Sequence, residues 1–331
     1  MSVRLQHLEK QPRLLMEAEL KPLQGVRFQP TGFPDLGAAV YDAPDASGSQ
    51  IVLVESAQSV ANRLEDVCWD YATDSPSSAL TGMPFVSIAL WDGKTTNSML
   101  EAHRLNSPYI MRDDDFKTRL RDAAGLPAKE SGAGVVDRGK LARAAFRYDP
   151  GSVLHGVFLE KLAGVARLQR CLSGFIEAYD SHVSDSGGVK NDRVAPSPKA
   201  LTDEIGSTVG AAEGFGNVPF HRTEYTAKRI TAYFNLDLAQ LRAYGLGESA
   251  ERFLITLALW KVRKFLETGL RLRTACDLDM EGDLAVTRPK DNFSVPSTAE
   301  LESELPALIA ACASEGLFAN PPVTRLMFKG K

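Results

Sequence analysis

The chain has 331 residues, of which 44% are hydrophobic and 24% charged, with a net charge of −4. That balance predicts a folded globular protein with a substantial core, and excludes a mainly disordered, collagen-like or coiled-coil chain. At about 150 residues per domain, the length fits one elaborated domain or two ordinary ones.

The N-terminal stretch MSVRLQHLEKQPRLL carries charges throughout and lacks the apolar centre of a signal peptide. Ile51 to Val54 is a short β-branched run followed at once by Ser56, a helix N-cap. Val60, Leu64, Val67 and Cys68 then fall at amphipathic helical spacing. Strands are predicted at Phe85–Trp91, Ser98–Leu105 and Val153–Leu159. Ser181 to Pro219 holds 14 Gly, Ser or Pro among 39 residues, which predicts a long loop or flexible hairpin. Arg229 to Asp237 alternates, with Ile230, Ala232, Phe234 and Leu236 on one face.

Glu251 to Glu267 is apolar enough for a largely buried helix, and a last strand falls near Leu272–Leu278. Ser297 and Glu300 form a capping box for a C-terminal helix that Pro306 should kink or shorten. The densest apolar stretch, Phe253 to Trp260, is too short to span a bilayer. The order is that of an α+β protein whose β-α-β-β-α-β, ferredoxin-like core carries insertions.

Cys68, Cys171, Cys276 and Cys312 are scattered with no C-x-x-C, which predicts reduced thiols rather than a disulfide or zinc framework. With no membrane segment, the expected location is cytoplasmic. Gly134 to Leu141 approaches a P-loop, but Leu141 replaces the hydroxyl that would ligate Mg²⁺, and no apolar strand precedes it. Asp113, Asp114 and Asp115 read as a solvated run rather than a metal site. His155 reads as a sheet histidine. His221, in GNVPFHR, is a conceivable general acid–base group.

Charge is uneven along the chain. Val136 to Arg273 carries a net +5 and the remainder −9, which suggests a polyanion surface or ordinary surface variation. Gln58 and Asn62 share one row of the first helix, and Ser59 and Arg63 the next. A helix N-terminus after a strand is a ready phosphate site, with a capped, solvated helix as the plainer reading. Basic groups recur at Lys190 and Arg193, at His221 and Arg222 with Lys228 and Arg229, and from Lys261 through Arg271 and Arg273. Phe215, Phe220, Tyr225 and Tyr233 interleave with the second group, as in sheets that stack unpaired bases, although core anchoring would serve two of these rings equally.

Several long segments resemble one family: VLVESAQSVANRLE from Val52, LHGVFLEKLAGVARLQRCLSGFIEAYD from Leu154, GGVKNDRVAPSP from Gly187, GFGNVPFHRTEYTAKRITAYFNLDLAQLRAYGLG from Gly214 and ALWKVRKFLETGLRLRTACDL from Ala258. The family is the backbone subunit of the type I-G (formerly I-U) CRISPR surveillance complex, Cascade, within the RAMP superfamily. The resemblance implies a modified RNA-recognition-motif (RRM) palm with finger- and thumb-like insertions. Residues 1–331 would then form one elaborated domain, with insertions at about 94–147 and 181–219. It implies a subunit that is not itself a nuclease, with no cofactor and no metal.

The implied partners are CRISPR RNA, the target DNA strand paired to the guide, and further copies of the chain in a helical filament. They also include the other type I-G subunits (a fused repeat-cap and processing subunit and a large subunit) and a recruited helicase-nuclease. No membrane is involved. Because guide sequences vary, binding should run through phosphates and sugars. The residues expected to carry it are Gln58, Ser59, Asn62 and Arg63, then Lys190, Arg193, Asn217, His221 and Arg222, and last Arg271 and Arg273. Two other readings compete. One is a RAMP-type ribonuclease that processes CRISPR RNA, which needs His221 beside an acid or base. The other is an enzyme holding a nucleotide at Gly134–Lys140.

Overall fold

The computed structural model describes residues 5–33, 36–45, 48–126, 135–164, 166–190, 218–290 and 293–328. Its main sheet is built from β1 (Arg13–Pro22), β2 (Val40–Asp42) and β3 (Gln50–Glu55), with β6 (Leu172–Lys190), β7 (Val218–Asp237), β8 (Arg271–Arg273) and β9 (Cys276–Arg288). The spatial order is β8-β9-β1-β7-β6-β3-β2, antiparallel throughout. Helix α1 (Ala57–Asp66) comes between β1 and β6 in the chain, and α5 (Glu248–Glu267) between β7 and β9.

Alternation fixes which face of the sheet is buried. Leu14, Met16, Ala18 and Leu20 of β1 sit opposite Leu236, Phe234, Ala232 and Ile230 of β7, all inside the core. Gly174 of β6 is required there, since a Cβ would stand 2.7 Å from the Phe234 ring. The other face carries Glu17, Tyr233 and Phe175 in one row and Glu19, Thr231 and Glu177 in the next. Tyr233 stacks on Phe175 with ring centroids 5.0 Å apart. This face is acidic, which disfavours phosphate.

Between α1 and β6 the chain builds β4 (Phe85–Ala89), β5 (Thr95–Asn97), α2 (Asp114–Ala123), α3 (Arg138–Tyr148) and α4 (Pro150–His155). After α6 (Thr298–Ser314), strand β10 (Val323–Met327) returns to pair in parallel with β4, giving the order β10-β4-β5. Helix α5 is buried almost all round: Phe253 meets Phe146 and Phe318, and Phe265 meets Phe234 edge-on.

Several expectations change. Ser98–Leu105 is not a strand, because the Asn97 side chain accepts from the amides of Met99 and Leu100 and turns the chain. Val153–Leu159 is mostly helix α4, with Asp149 as N-cap and Pro150 at its first position. The residues near Leu272–Leu278 are two strands, β8 and the start of the longer β9. Ser181 to Lys190 is not loop but the outer half of β6, paired with β7 from Ala227 out to Val218. Residues 191–217 lie outside those described. Pro306 neither ends nor shortens α6; it sits on the exposed side, where the carbonyl it leaves unpaired can meet water. Ser297 and Glu300 do form the expected capping box.

The remaining motifs are structural. Asp113 caps α2 through the Phe116 amide at 2.7 Å, and Asp114 pairs with Lys117 at 2.6 Å. Gly139 and Lys140 open α3, whose N-terminus already holds the Asp137 carboxylate on the Lys140 amide at 3.0 Å. Gly134 lies outside the described residues. All four cysteines are buried and free. Among the described residues no helix is long and apolar enough to cross a membrane.

Candidate nucleic-acid interface

Strand β3 ends at Glu55, and the Ser56 side chain accepts from the Ser59 amide to start α1. Glu55 is 1% exposed and gathers three of the residues expected to bind phosphate. Ser59 Oγ donates to one carboxylate oxygen, as does Arg63 Nε at 3.2 Å, and the Arg273 guanidinium donates to the other. Arg63 also donates to the carbonyls of Arg271 and Leu272, and Arg273 to those of Gln29 (3.0 Å) and Val54 (3.1 Å). Burial lowers the pKa of both arginines.

The structure therefore brings Ser59, Arg63, Arg271 and Arg273 to one place, two hundred residues apart in the chain. It also commits Arg63 and Arg273 to holding β3, α1 and β8 together. Two guanidiniums against one carboxylate leave a positive surplus at the mouth of α1. Arg271 remains largely exposed, 3.7 Å from Asp277.

Gln58 and Asn62 form the exposed row. Gln58 Nε2 donates to Asn62 Oδ1 at 3.0 Å, while Gln58 Oε1 accepts from Arg170 at 2.8 Å. Arg170 also donates to the carbonyls of Ala57 and His155, tying the helix start to α4. Sequence reasoning missed Glu55 and Arg170. Glu55, Ser59 and Arg63 recur every four residues, a signal that could have revealed the first. Arg170 has no local signal, since Gln58 is 112 residues away.

The second group lies on the β6–β7 ribbon. His221 Nε2 stands 3.6 Å from Asp185 Oδ1, with both side chains more than two-thirds exposed. Arg222 lies over the Phe220 ring and 3.7 Å from Glu224, which also pairs with Arg27 at 3.0 Å. Lys190 is exposed at the outer end of β6, opposite Val218. Arg193, Asn217 and Phe215 lie outside the described residues. Phe220 is exposed, whereas Tyr225 is buried against Phe28. Gly187 lets the strands close, because a Cβ there would stand 2.3 Å from the Phe220 carbonyl oxygen.

The third basic group does not form a surface. Lys261 is buried, with Nζ 2.9 Å from His155 Nε2. Arg263 is held by Asp283 and by the carbonyls of Val295 and Pro296, and Lys264 pairs with Glu302. Helix α5 is packed on most sides, so its cations find partners inside.

Beneath α1 lies a buried polar cluster. Arg104 donates Nε and Nη2 to the two Glu65 oxygens at 2.6 Å each. Burial pushes the Glu65 carboxyl up to about 7, with Arg104 opposing it. Burial, and then the Lys261 charge, holds His155 well below its ordinary value. Among the described residues, no group of three or more His, Cys, Asp or Glu could hold a metal ion.

Residues 14–183, about half the chain, match the family model described as CRISPR-associated protein GSU0053 (Cas_GSU0053). The chain belongs to this family. The matched part of the CRISPR-associated chain runs from β1 into the outer half of β6, and so contains Glu55, all of α1 and Arg170. No curated protein matches the chain. Among solved structures it is similar to a chain titled "CRISPR RNA-guided surveillance complex, pre-nicking", at 13% identity and TM-score 0.41, over 81% of this chain and 74% of that one. A second, titled "CRISPR RNA-guided surveillance complex", is 13% identical with TM-score 0.38, over 92% of this chain and 84% of that one.

Proposed function

We propose that the chain is a non-catalytic backbone subunit of a type I-G CRISPR surveillance complex that polymerises along CRISPR RNA and presents the guide for pairing with target DNA. One observation carries this reading: the β3–α1 junction of a CRISPR-associated chain exposes Gln58 and Asn62 beside a cluster of arginines with a surplus positive charge. Neutral amides and surplus cations suit a sugar-phosphate backbone of any sequence. The exposed ribbon with Lys190, His221 and Arg222 would supply the second contact.

The order β9-β1-β7-β6, with α1 and α5 in the two crossovers, supports reading the main sheet as a ferredoxin-like, RRM-type palm in one elaborated domain. The β4–α4 region and the β6–β7 ribbon would be its insertions. The acidic open face of the sheet points away from guide binding there, and towards α1 and the ribbon. In the assembly the chain would meet further copies of itself, the other type I-G subunits and the helicase-nuclease.

The test is to express the chain with a matching CRISPR array and sequence the RNA that co-purifies, at stated salt. Protected spacer-containing RNA in a large, salt-sensitive assembly supports the proposal. RNA-free protein, even with its partner subunits co-expressed, overturns it. The His221–Asp185 contact favours one second reading, a RAMP-type ribonuclease. Loss of repeat-RNA cleavage in His221→Ala, with assembly intact, would select it.

A further inference from the structure

On the far side of the molecule from α1, a cavity of about 670 Å³ lies between α2, α3 and the segment leading into β10. Arg119 of α2, Arg147 of α3 and Arg325 of β10 all line it, with Tyr148, Asn320 and Thr324. No Asp or Glu lines it. None of the three arginines forms an ion pair among the described residues; Arg119 meets only the Phe116 ring, at 5.6 Å. The acid next along from Arg147, Asp149, is buried and already accepts from Gly151 and Ser152. Three guanidiniums around one concavity repel one another and concentrate anions. Their planar forks match phosphate oxygens.

A second, independent feature adjoins the cavity. Trp91, 70% exposed, packs with Phe328 and Tyr109, at ring-centroid distances of 5.4 and 6.3 Å. Arg112 lies over Phe328 at 5.3 Å. Phe328 directly follows β10, about 10 Å of extended chain beyond Arg325. The pairing of Ala89 with Met327 brings Trp91 to the same end of the sheet. An anion cavity continuous with an aromatic platform suits alternating phosphates and unpaired bases. An acidic peptide would use the arginines and leave the rings idle.

We infer that the Arg119–Arg147–Arg325 cavity and the Trp91 platform form a binding site for single-stranded nucleic acid, separate from the α1 and ribbon surfaces. The inference does not rest on the proposed guide-binding role. Its test is ultraviolet cross-linking of a short oligo-dT to the full chain, with the attached peptides identified. Cross-links are expected on the peptides holding Trp91 and Phe328. The exposed-residue variant Arg119→Ala/Arg147→Ala/Arg325→Ala should lose them by about tenfold and weaken the salt dependence of binding by about two units of slope. Arg325→Glu alone gives a second variant, with the same loss expected.

Cross-links confined to the ribbon or α1, or unchanged in both variants, overturn the inference whatever becomes of the guide-binding proposal. Displacement of the oligonucleotide by equimolar ATP or inorganic phosphate would mean a free-phosphate site and overturn it. Equal competition by polyglutamate would do the same in favour of an acidic protein.

Discussion

Arg104 forks around both oxygens of Glu65, although the two residues belong to different layers of the molecule. Glu65 sits in the last turn of α1, and Arg104 in a short helical turn of the region between α1 and β6, at a positive φ of 53°. Both are nearly inaccessible to solvent. Arg104 also donates to the Gly156 carbonyl at 3.2 Å, so one guanidinium joins α1, its own turn and the end of α4. The pair is the joint between the β4–α4 region and the main sheet.

Removing one partner leaves a buried, uncompensated charge. Arg104→Ala is expected to cost about 3–5 kcal/mol of unfolding free energy in urea titration. Replacing both residues with leucine should cost clearly less than the sum of the single changes. Strict additivity would mean that the two side chains act independently, contrary to the geometry.

At the proposed guide-binding surface, Asn62→Ala should weaken RNA retention by about 1 kcal/mol, roughly fivefold, with the melting temperature unchanged. Arg63→Ala is a poorer probe, because it also strips Glu55 of a partner and frees the Leu272 carbonyl. Filter binding and thermal melting on the two variants separate the effects. Asn62→Ala should move only the first measurement, and Arg63→Ala both.

His155 predicts a pH dependence. An ammonium only donates, so Lys261 donates to Nε2, and the ring proton sits on Nδ1, which has no partner among the described residues. The folded ring stays neutral, while the unfolded ring takes up a proton below its ordinary value of 6.5. The unfolded state therefore binds more protons, and stability falls as pH drops below about 6.5. His155→Gln should flatten the decline in melting temperature between pH 6.5 and the lower folded value. An equally steep decline in the variant would assign the effect elsewhere.

On the ribbon, Gly187→Ala would place a methyl against the Phe220 carbonyl. Hydrogen exchange should show β6 and β7 opening beyond about Asp185, with global stability held by the core. Unchanged protection across Ser186 to Lys190 would refute the close approach.

Much of this was legible in the chain. The run into Glu55, the Ser56 cap, the alternation from Ile230 to Leu236 and the capping box at Ser297 all announce the elements that form. Strand β1 was missed because RLLMEAELKP pairs a period-two pattern with strong helix formers, and only its two strand neighbours decide the outcome. Helix α4 was misread because VLHGVF looks β-like, while the deciding Asp149–Pro150 signal lies just upstream. The Glu55 cluster was half visible: Ser59 and Arg63 share a helix face, but nothing local says that Arg273 will arrive. Conversely, the cations of α5 looked like a surface because sequence shows charge and not its partners.

The pairing of β10 with β4 has a consequence for synthesis. Val323 lies beside Phe85, so the three-stranded sheet waits for residues made more than two hundred positions later. At ordinary ribosomal speed that delay is roughly 10–50 s. Throughout it the Phe85–Ala89 strand leaves the ribosome with one flank unpaired, so a nascent chain is most in need of chaperone protection while its own last strand is still untranslated.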